Sequence, residues 1–462
     1  MPQRIESRSA ADEVVYGPHT TDARDQMLAA LGLDSVEQLF DDIPESVRAR
    51  DLDLPEPRSE LTLSHDLAAL AARNRVDLAS FLGAGVYQHY IPAAVDTVLS
   101  RGEFYTAYTP YQPEISQGTL QTIYEFQSLI AELVGLPVVS ASHYDGASAT
   151  AEAALMTVRA TRRDRVLISR AVHPHYVETT RTYFAAGTRE LEELPTRADG
   201  TTDLAALESA LADTDRPVAG VILGQPNAFG LLDPMAEAAR LAHAAGALFV
   251  AVVEPVSLAV LAPPGEYGAD IAAGEGQPLG IAPQYGGPYL GLLACSQKLL
   301  RQIPGRLVGR TEDLDGRRAF VMTLRAREQD IRRDKAASNI CTNQALCALA
   351  ATAYLATVGP HGLHDVAAAG AAAAGRLEAA LADAGIERVH AAPYLNEFAI
   401  RVPDAAAVHA QLLDEGVLAG LPLARWYPDD PDLADALLVC ATELTTAEDI
   451  DRLVGGLGEA IA

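Results

Sequence analysis

The sequence predicts an α/β protein in which a large, mainly parallel sheet is followed by a smaller C-terminal α+β domain. Three observations carry that reading. Short, continuous apolar runs at residues 166–169, 218–223, 248–253 and 290–295 alternate with amphipathic helical stretches, as strands covered on both faces do. At 462 residues and 49% hydrophobic content, the chain is long and apolar enough for two or three globular domains. Beyond residue 325 the alternation gives way to one strong helix-forming stretch and two isolated strand patterns.

In order along the chain, residues 1–60 read as a helical segment. Thr20 or Thr21 can cap a helix carrying Met27, Leu28 and Leu31, and Pro55 and Pro57 close the segment. Residues 61–325 form the large domain, whose ligands belong beyond the carboxyl ends of its strands. Residues 326–462 form the smaller domain. There 367–382 favours helix, 396–402 and 437–441 read as strands, and Thr446 opens a last helix. That helix aligns Ile450, Leu453, Val454, Leu457 and Ile461 on one stripe.

A net charge of −27 argues against a general nucleic-acid or anionic-membrane binder. The four cysteines contain no C-x-x-C pair, which fits neither a disulfide framework nor a zinc site and suits a reducing compartment. Residues 1–15 lack the apolar core of a secretion signal. The most apolar stretch, 244–262, is broken by Glu254 and Pro255 and reads as a helix end plus a buried strand. These features point to the cytoplasm.

Several segments carry candidate chemistry. In 81–92 (F-L-G-A-G-V-Y-Q-H-Y-I-P), Gly83 and Gly85 permit a tight turn, but no third glycine completes a dinucleotide fingerprint. Tyr87, His89 and Tyr90 there serve packing or a site equally well. In 105–118, tyrosines and prolines crowd together with Gln112, Glu114 and Gln117, as in a preorganised loop. In 142–152, small hydroxyl residues open a helix and offer either an anion cup or an ordinary cap. His173 follows one apolar run and Glu254 ends another. The run 268–288 is dense in glycine and proline, so its backbone approaches something closely. In 325–346, Arg325, Arg327, Arg332, Arg333 and Lys335 form a basic island whose interleaved acids suggest a self-paired helix face.

Together these residues resemble the glycine cleavage system P-protein family, in particular the alpha chain (subunit 1) of its split, two-subunit form. The matching motifs include G-A-G-V-Y-Q-H-Y-I-P, Y-T-P-Y-Q-P-E-I-S-Q-G, Q-P-N-A-F-G, G-A-D-I-A-A-G-E-G-Q-P-L-G, P-G-R-L-V-G, R-E-Q-D-I-R-R-D-K-A-A-S-N-I-C-T-N-Q-A-L, N-E-F and A-T-E. The resemblance implies the fold of type I pyridoxal-phosphate (PLP) transferases. It also implies an activity in which glycine loses its carboxylate as CO2 and its aminomethyl group passes to the lipoyl arm of the H-protein, alongside the T- and L-proteins. PLP chemistry needs an amine side chain, yet the chain has only Lys298 and Lys335. Gln277 stands where the family's lysine is expected. The resemblance therefore places the cofactor on a beta subunit, in an α2β2 assembly, and leaves none bound by this chain. It suggests Tyr87, His89, Tyr108, Tyr111, Gln112 and Gln117 as contributions to a shared site. Two departures from the pattern are Glu254, where an aspartate is expected, and Ala228 in the Q-P-N motif. The alternatives are a self-sufficient PLP enzyme, which requires a lysine in place of Gln277, and a non-catalytic structural or regulatory relative.

Overall fold

A computed structural model describes residues 20–48 and 53–461. The reading of residues 1–15 lies outside the described residues. The chain divides into two units, one ending at Arg75 and one spanning Val76–Ala462.

In the first unit the helix Thr21–Leu31 starts where Thr20 accepts a hydrogen bond from the Ala23 N–H at 3.2 Å, and it ends at Gly32 in the left-handed region. Ser59 caps the helix Glu60–Ala71 in the same way. None of the described residues up to Arg75 is buried.

The second unit is built on a seven-stranded sheet. Its spatial order is Val138–Val139, Gly291–Cys295, Ile271–Glu275, Leu248–Val253, Val218–Gln225, Arg165–Ser169 and Glu190–Leu194. The last five are mutually parallel, whereas Gly291–Cys295 is antiparallel to both of its neighbours. Alternation along the strands sorts side chains between two cores. Leu167, Val221, Phe249 and Ala251 face one, and Val166, Ile168, Ile222 and Val250 face the other. Helices Gln117–Val134 and Met235–Ala244 contribute to the first core and Gly146–Thr161 to the second.

The smaller lobe carries the antiparallel strands Glu397–Arg401, Ala436–Cys440 and Leu421–Pro422. The helix Ala447–Ile461 buries Ile450, Leu453 and Leu457 there, with Val454 half-buried and Ile461 exposed. Ala79 and Phe81 belong to this lobe's core despite their early position in the chain. Ala79 pairs with Val417, and Cys440 N donates to the Phe81 carbonyl at 2.8 Å. The helix Ala345–Asp383 is 39 residues long and apolar enough to cross a membrane by length and composition. It kinks at Gly359–Pro360 and packs against the helices Ala93–Leu99 and Gln117–Val134.

The basic island differs from the single helix face its charge pattern suggests. Leu324 and Arg333 adopt positive φ and break the segment into the turns Arg325–Arg327, Gln329–Arg332 and Arg333–Lys335. Self-pairing does occur, between Arg325 and Asp330 at 2.7 Å and between Arg327 and Glu328 at 3.1 Å.

Candidate active site

A cleft opens beyond the carboxyl ends of the parallel strands, where the alternation of apolar runs predicts it. Gly85, Tyr87, His173, Glu254, Glu275 and Glu397 are among the residues that line it. One loop, 81–92, crosses it and is fastened by three polar side chains from three different segments. Gln277 Oε1 accepts from the Tyr87 N–H at 3.0 Å, and its Nε2 donates to the Tyr87 carbonyl at 3.0 Å. Glu397 accepts from the Ala84 N–H at 2.6 Å and from the Tyr87 hydroxyl at 2.9 Å. Glu443 meets His89 Nδ1 at 2.7 Å and accepts from the Tyr90 N–H at 2.7 Å. The glycines of this loop are required by proximity. Gly85 has φ +88°, and a Cβ there would lie 2.6 Å from His173 Cδ2.

The same cleft offers PLP neither an amine nor an open phosphate position. Gln277 cannot form an imine, and its Nε2 is spent on the Tyr87 carbonyl and, at 2.6 Å, on that of Ile281. The helix Gly146–Thr161 presents its N-terminus to the cleft, a natural phosphate position, but that position is filled. Glu275 Oε2 accepts from the Gly146 N–H at 2.9 Å, while Oε1 accepts from Gln277 N at 2.9 Å and Leu290 N at 2.8 Å. Glu254 turns both oxygens onto the N–H groups of Val256 and Ser257, at 2.9 and 2.6 Å. His173 donates from Nε2 to the Ala84 carbonyl at 3.1 Å and stacks on Tyr176 at 4.8 Å. The cavity left between these side chains is about 60 Å³, room for a few waters. These residues do not fit PLP.

Burial dominates the ionisation of the cleft. It pushes Glu275 up to about 7 against the pull of its three N–H donors. Glu397 rises to about 7 for the same reason. His173 falls to about 4 and is therefore neutral near pH 7. Burial also raises the Glu254 carboxyl, with the His89 charge opposing it.

The other candidate residues assemble elsewhere. Tyr108 is 91% exposed, and Tyr111 and Gln112 are also exposed. Arg306 joins three of the motifs. It donates to Asn343 Oδ1 at 2.8 Å and to the Cys341 carbonyl at 2.6 Å, and lies 5.7 Å from the centre of the Tyr111 ring. Arg325 sits over the same ring at 4.9 Å. A second cavity, about 160 Å³ and lined by Tyr105, Tyr108, Arg306, Asn343 and Leu346 among others, lies on this surface. Gln117 points inward, its amide exchanging bonds with the Phe320 N–H and carbonyl at 2.9 Å. The structure thus brings Tyr87 and His89 together at the cleft, Tyr108, Tyr111 and Gln112 together on the tyrosine surface, and uses Gln117 as a bolt onto the strand Arg318–Thr323.

Sequence reasoning does not single out Glu275, Glu397 and Glu443, whose carboxylates fasten the cleft. Their motifs, G-E-G-Q, N-E-F and A-T-E, stand out in the sequence. The signal was a lone carboxylate inside each of these runs of small or apolar residues, since an acid seldom occupies such a place without a partner.

This sheet, with its cleft at the strand ends and a second lobe closing over it, defines the class: the type I fold of PLP-dependent enzymes. A cysteine desulfurase from Thermococcus onnurineus NA1 shares that fold, with TM-score 0.62 at 16% identity over 88% of this chain and 99% of the desulfurase. The chain belongs to the glycine cleavage system P-protein family, which matches residues 15–457. A relative from Moorella thermoacetica, named probable glycine dehydrogenase (decarboxylating) subunit 1, is 53% identical over 452 residues, 97% of this chain and 100% of the relative. One from Carboxydothermus hydrogenoformans, with the same name, is 50% identical over 446 residues, 96% of this chain and 99% of the relative. The crystal structure of a glycine decarboxylase (P-protein) of the glycine cleavage system, in inhibitor-bound form, superposes with TM-score 0.88 at 44% identity, covering 96% of this chain and 99% of that one.

Proposed function

We propose that this chain is the alpha subunit of a glycine dehydrogenase (decarboxylating) and acts only with a PLP-bearing beta subunit, in a cytoplasmic α2β2 assembly. The assembly releases the glycine carboxylate as CO2 and passes the aminomethyl group to the lipoyl arm of the H-protein, with the T- and L-proteins as functional neighbours. The observation that carries the reading is Gln277, a non-nucleophilic amide at the expected lysine position and already engaged on both polar groups of the Tyr87 backbone. PLP supplies the electron sink for decarboxylation, and that chemistry belongs to the companion subunit.

The work left to this chain is to shape and dry the shared cleft. Tyr87 and His89 sit on a loop fastened at three points, so their positions are set without a ligand. The exposed Tyr108, Tyr111 and Gln112 offer contact area and hydrogen-bonding groups, and exposed aromatic surface of this kind favours a protein partner. Gln117 holds the base of their loop. A regulatory role unconnected with glycine finds no support among the relatives.

The test is reconstitution. Neither the isolated chain nor the companion subunit alone should exchange labelled bicarbonate into the carboxyl of glycine, and the two mixed with lipoylated H-protein should do so. Exchange by the isolated chain, or a borohydride-reducible PLP adduct on it, would sink the reading.

A further inference from the structure

We propose that Glu275 is a built-in occupant of an anion cup: a positioning residue whose carboxyl group fills the N-terminus of the helix Gly146–Thr161, closing the cleft to phosphate esters and holding the Gln277 turn in place. The inference goes beyond the glycine reading and rests on this chain's geometry alone, so inactivity of the mixed subunits leaves it untouched.

Three N–H groups from three separate segments converge on this one carboxylate, at 2.8–2.9 Å. Gly146 belongs to the helix, Gln277 to the turn after Ile271–Glu275, and Leu290 to the entry of Gly291–Cys295. The helix needs its first N–H groups satisfied, and Asp145 reaches only Ser148 N, at 2.7 Å. A carboxylate at that end answers both the open N–H and the helix dipole. Glu275 is 7% exposed, so water does not compete for the same donors. The cup is also closed sterically. A Cβ at residue 146 would come within 2.9 Å of Glu275 N and hard against the Tyr176 hydroxyl.

The consequence reaches the loop. Glu275 Oε1 fixes Gln277 N, which aims the Gln277 amide at Tyr87. The Glu275 carboxyl thereby supplies the order that an anionic ligand at this point would give, and presents the 81–92 loop preformed to its partner.

The experiment uses the purified full-length chain, with inorganic phosphate as probe and chloride at matched ionic strength as control. The wild-type Tm should not respond to phosphate. Glu275→Ser, which empties the cup, should lower Tm by several degrees, and phosphate should raise it again in a saturable manner. Glu275→Gln keeps the cup filled but turns one of the two accepting oxygens into an NH2 donor facing an N–H, so it should lower Tm and remain blind to phosphate. A phosphate-dependent rise in wild-type Tm, or a Glu275→Gln Tm equal to wild type, overturns the proposal. If Glu275→Ser does not fold, those two outcomes still decide it.

Discussion

The side chain of Gln277 pairs with the backbone of Tyr87 as a neighbouring strand would, accepting from its N–H and donating to its carbonyl, each at 3.0 Å. The residue is therefore more than the loss of a lysine. An amide offers one acceptor and two donors in a plane, and all three directions are used here, the third by the Ile281 carbonyl. A lysine offers only donors and would leave the Tyr87 N–H without a partner.

That asymmetry gives a prediction. Gln277→Ala should cost about 1–3 kcal/mol, the usual penalty for leaving partly buried donors and acceptors unpaired. Gln277→Lys should cost at least as much and should not create a PLP adduct, because Glu275 still fills the cup. Thermal melts and borohydride reduction in the presence of PLP check both parts. A stable, PLP-reactive Gln277→Lys chain would contradict the account.

Glu397 predicts a pH dependence. Burial holds its folded carboxyl up to about 7, against an ordinary value of 4.5, while the bonds from Ala84 and Tyr87 pull it down. Below 4.5 the group is protonated in both folded and unfolded chains. Between 4.5 and about 7 the folded chain keeps a proton that the unfolded chain releases, so this group's contribution to stability falls as pH rises through that window. Above about 7 the contribution is level again. Glu397→Gln removes the titration. The Tm advantage of wild type over the variant should therefore shrink between pH 5 and pH 7, and a constant difference would refute the assignment.

Gly85 tests the packing of the loop against His173. Gly85→Ala combines a left-handed φ, worth about 1–2 kcal/mol against a non-glycine residue, with a Cβ 2.6 Å from the ring. The variant should be destabilised. Adding His173→Ala removes the ring and should recover the steric part but not the conformational part. A double-mutant cycle measured by thermal or urea denaturation should then show coupling of about 0.5–3 kcal/mol, as for residues in contact. Additive effects would place the strain elsewhere.

Much of this architecture was legible in the sequence because it rests on local pattern. The runs at 166–169, 218–223 and 290–295 appear as the strands Arg165–Ser169, Val218–Gln225 and Gly291–Cys295, and Leu248–Val253 matches without adjustment. Strands that offend β propensity were not legible. Glu190–Leu194 is a polar edge strand, and Ile271–Glu275 is made mainly of alanine, glycine and glutamate. The hairpin Leu307–Glu312 with Arg318–Thr323 has too weak an alternation to read. At the site, Gln277 and Tyr87 were visible as unusual residues, but their pairing spans 190 positions. The internal role of Glu275 depends on the Gly146 N–H, 129 positions away, a meeting that no spacing encodes.

Tyr108 separates the role of the tyrosine surface from the stability of the chain. At 91% exposure its ring contributes little to folding, so Tyr108→Ala should leave Tm of the isolated chain within about a degree, in keeping with surface substitutions. If this surface meets the companion subunit, an exposed tyrosine on it is a natural anchor, and its truncation should weaken the complex by at least tenfold, about 1.4 kcal/mol. Gln112→Ala beside it should cost less, because an exposed polar group at an interface rim exchanges protein contacts for water at small net change. Calorimetric titration of the two subunits measures both effects directly. Equal affinity for wild type and Tyr108→Ala would remove this surface from the interface and leave the 81–92 loop as the chain's contribution to the shared site.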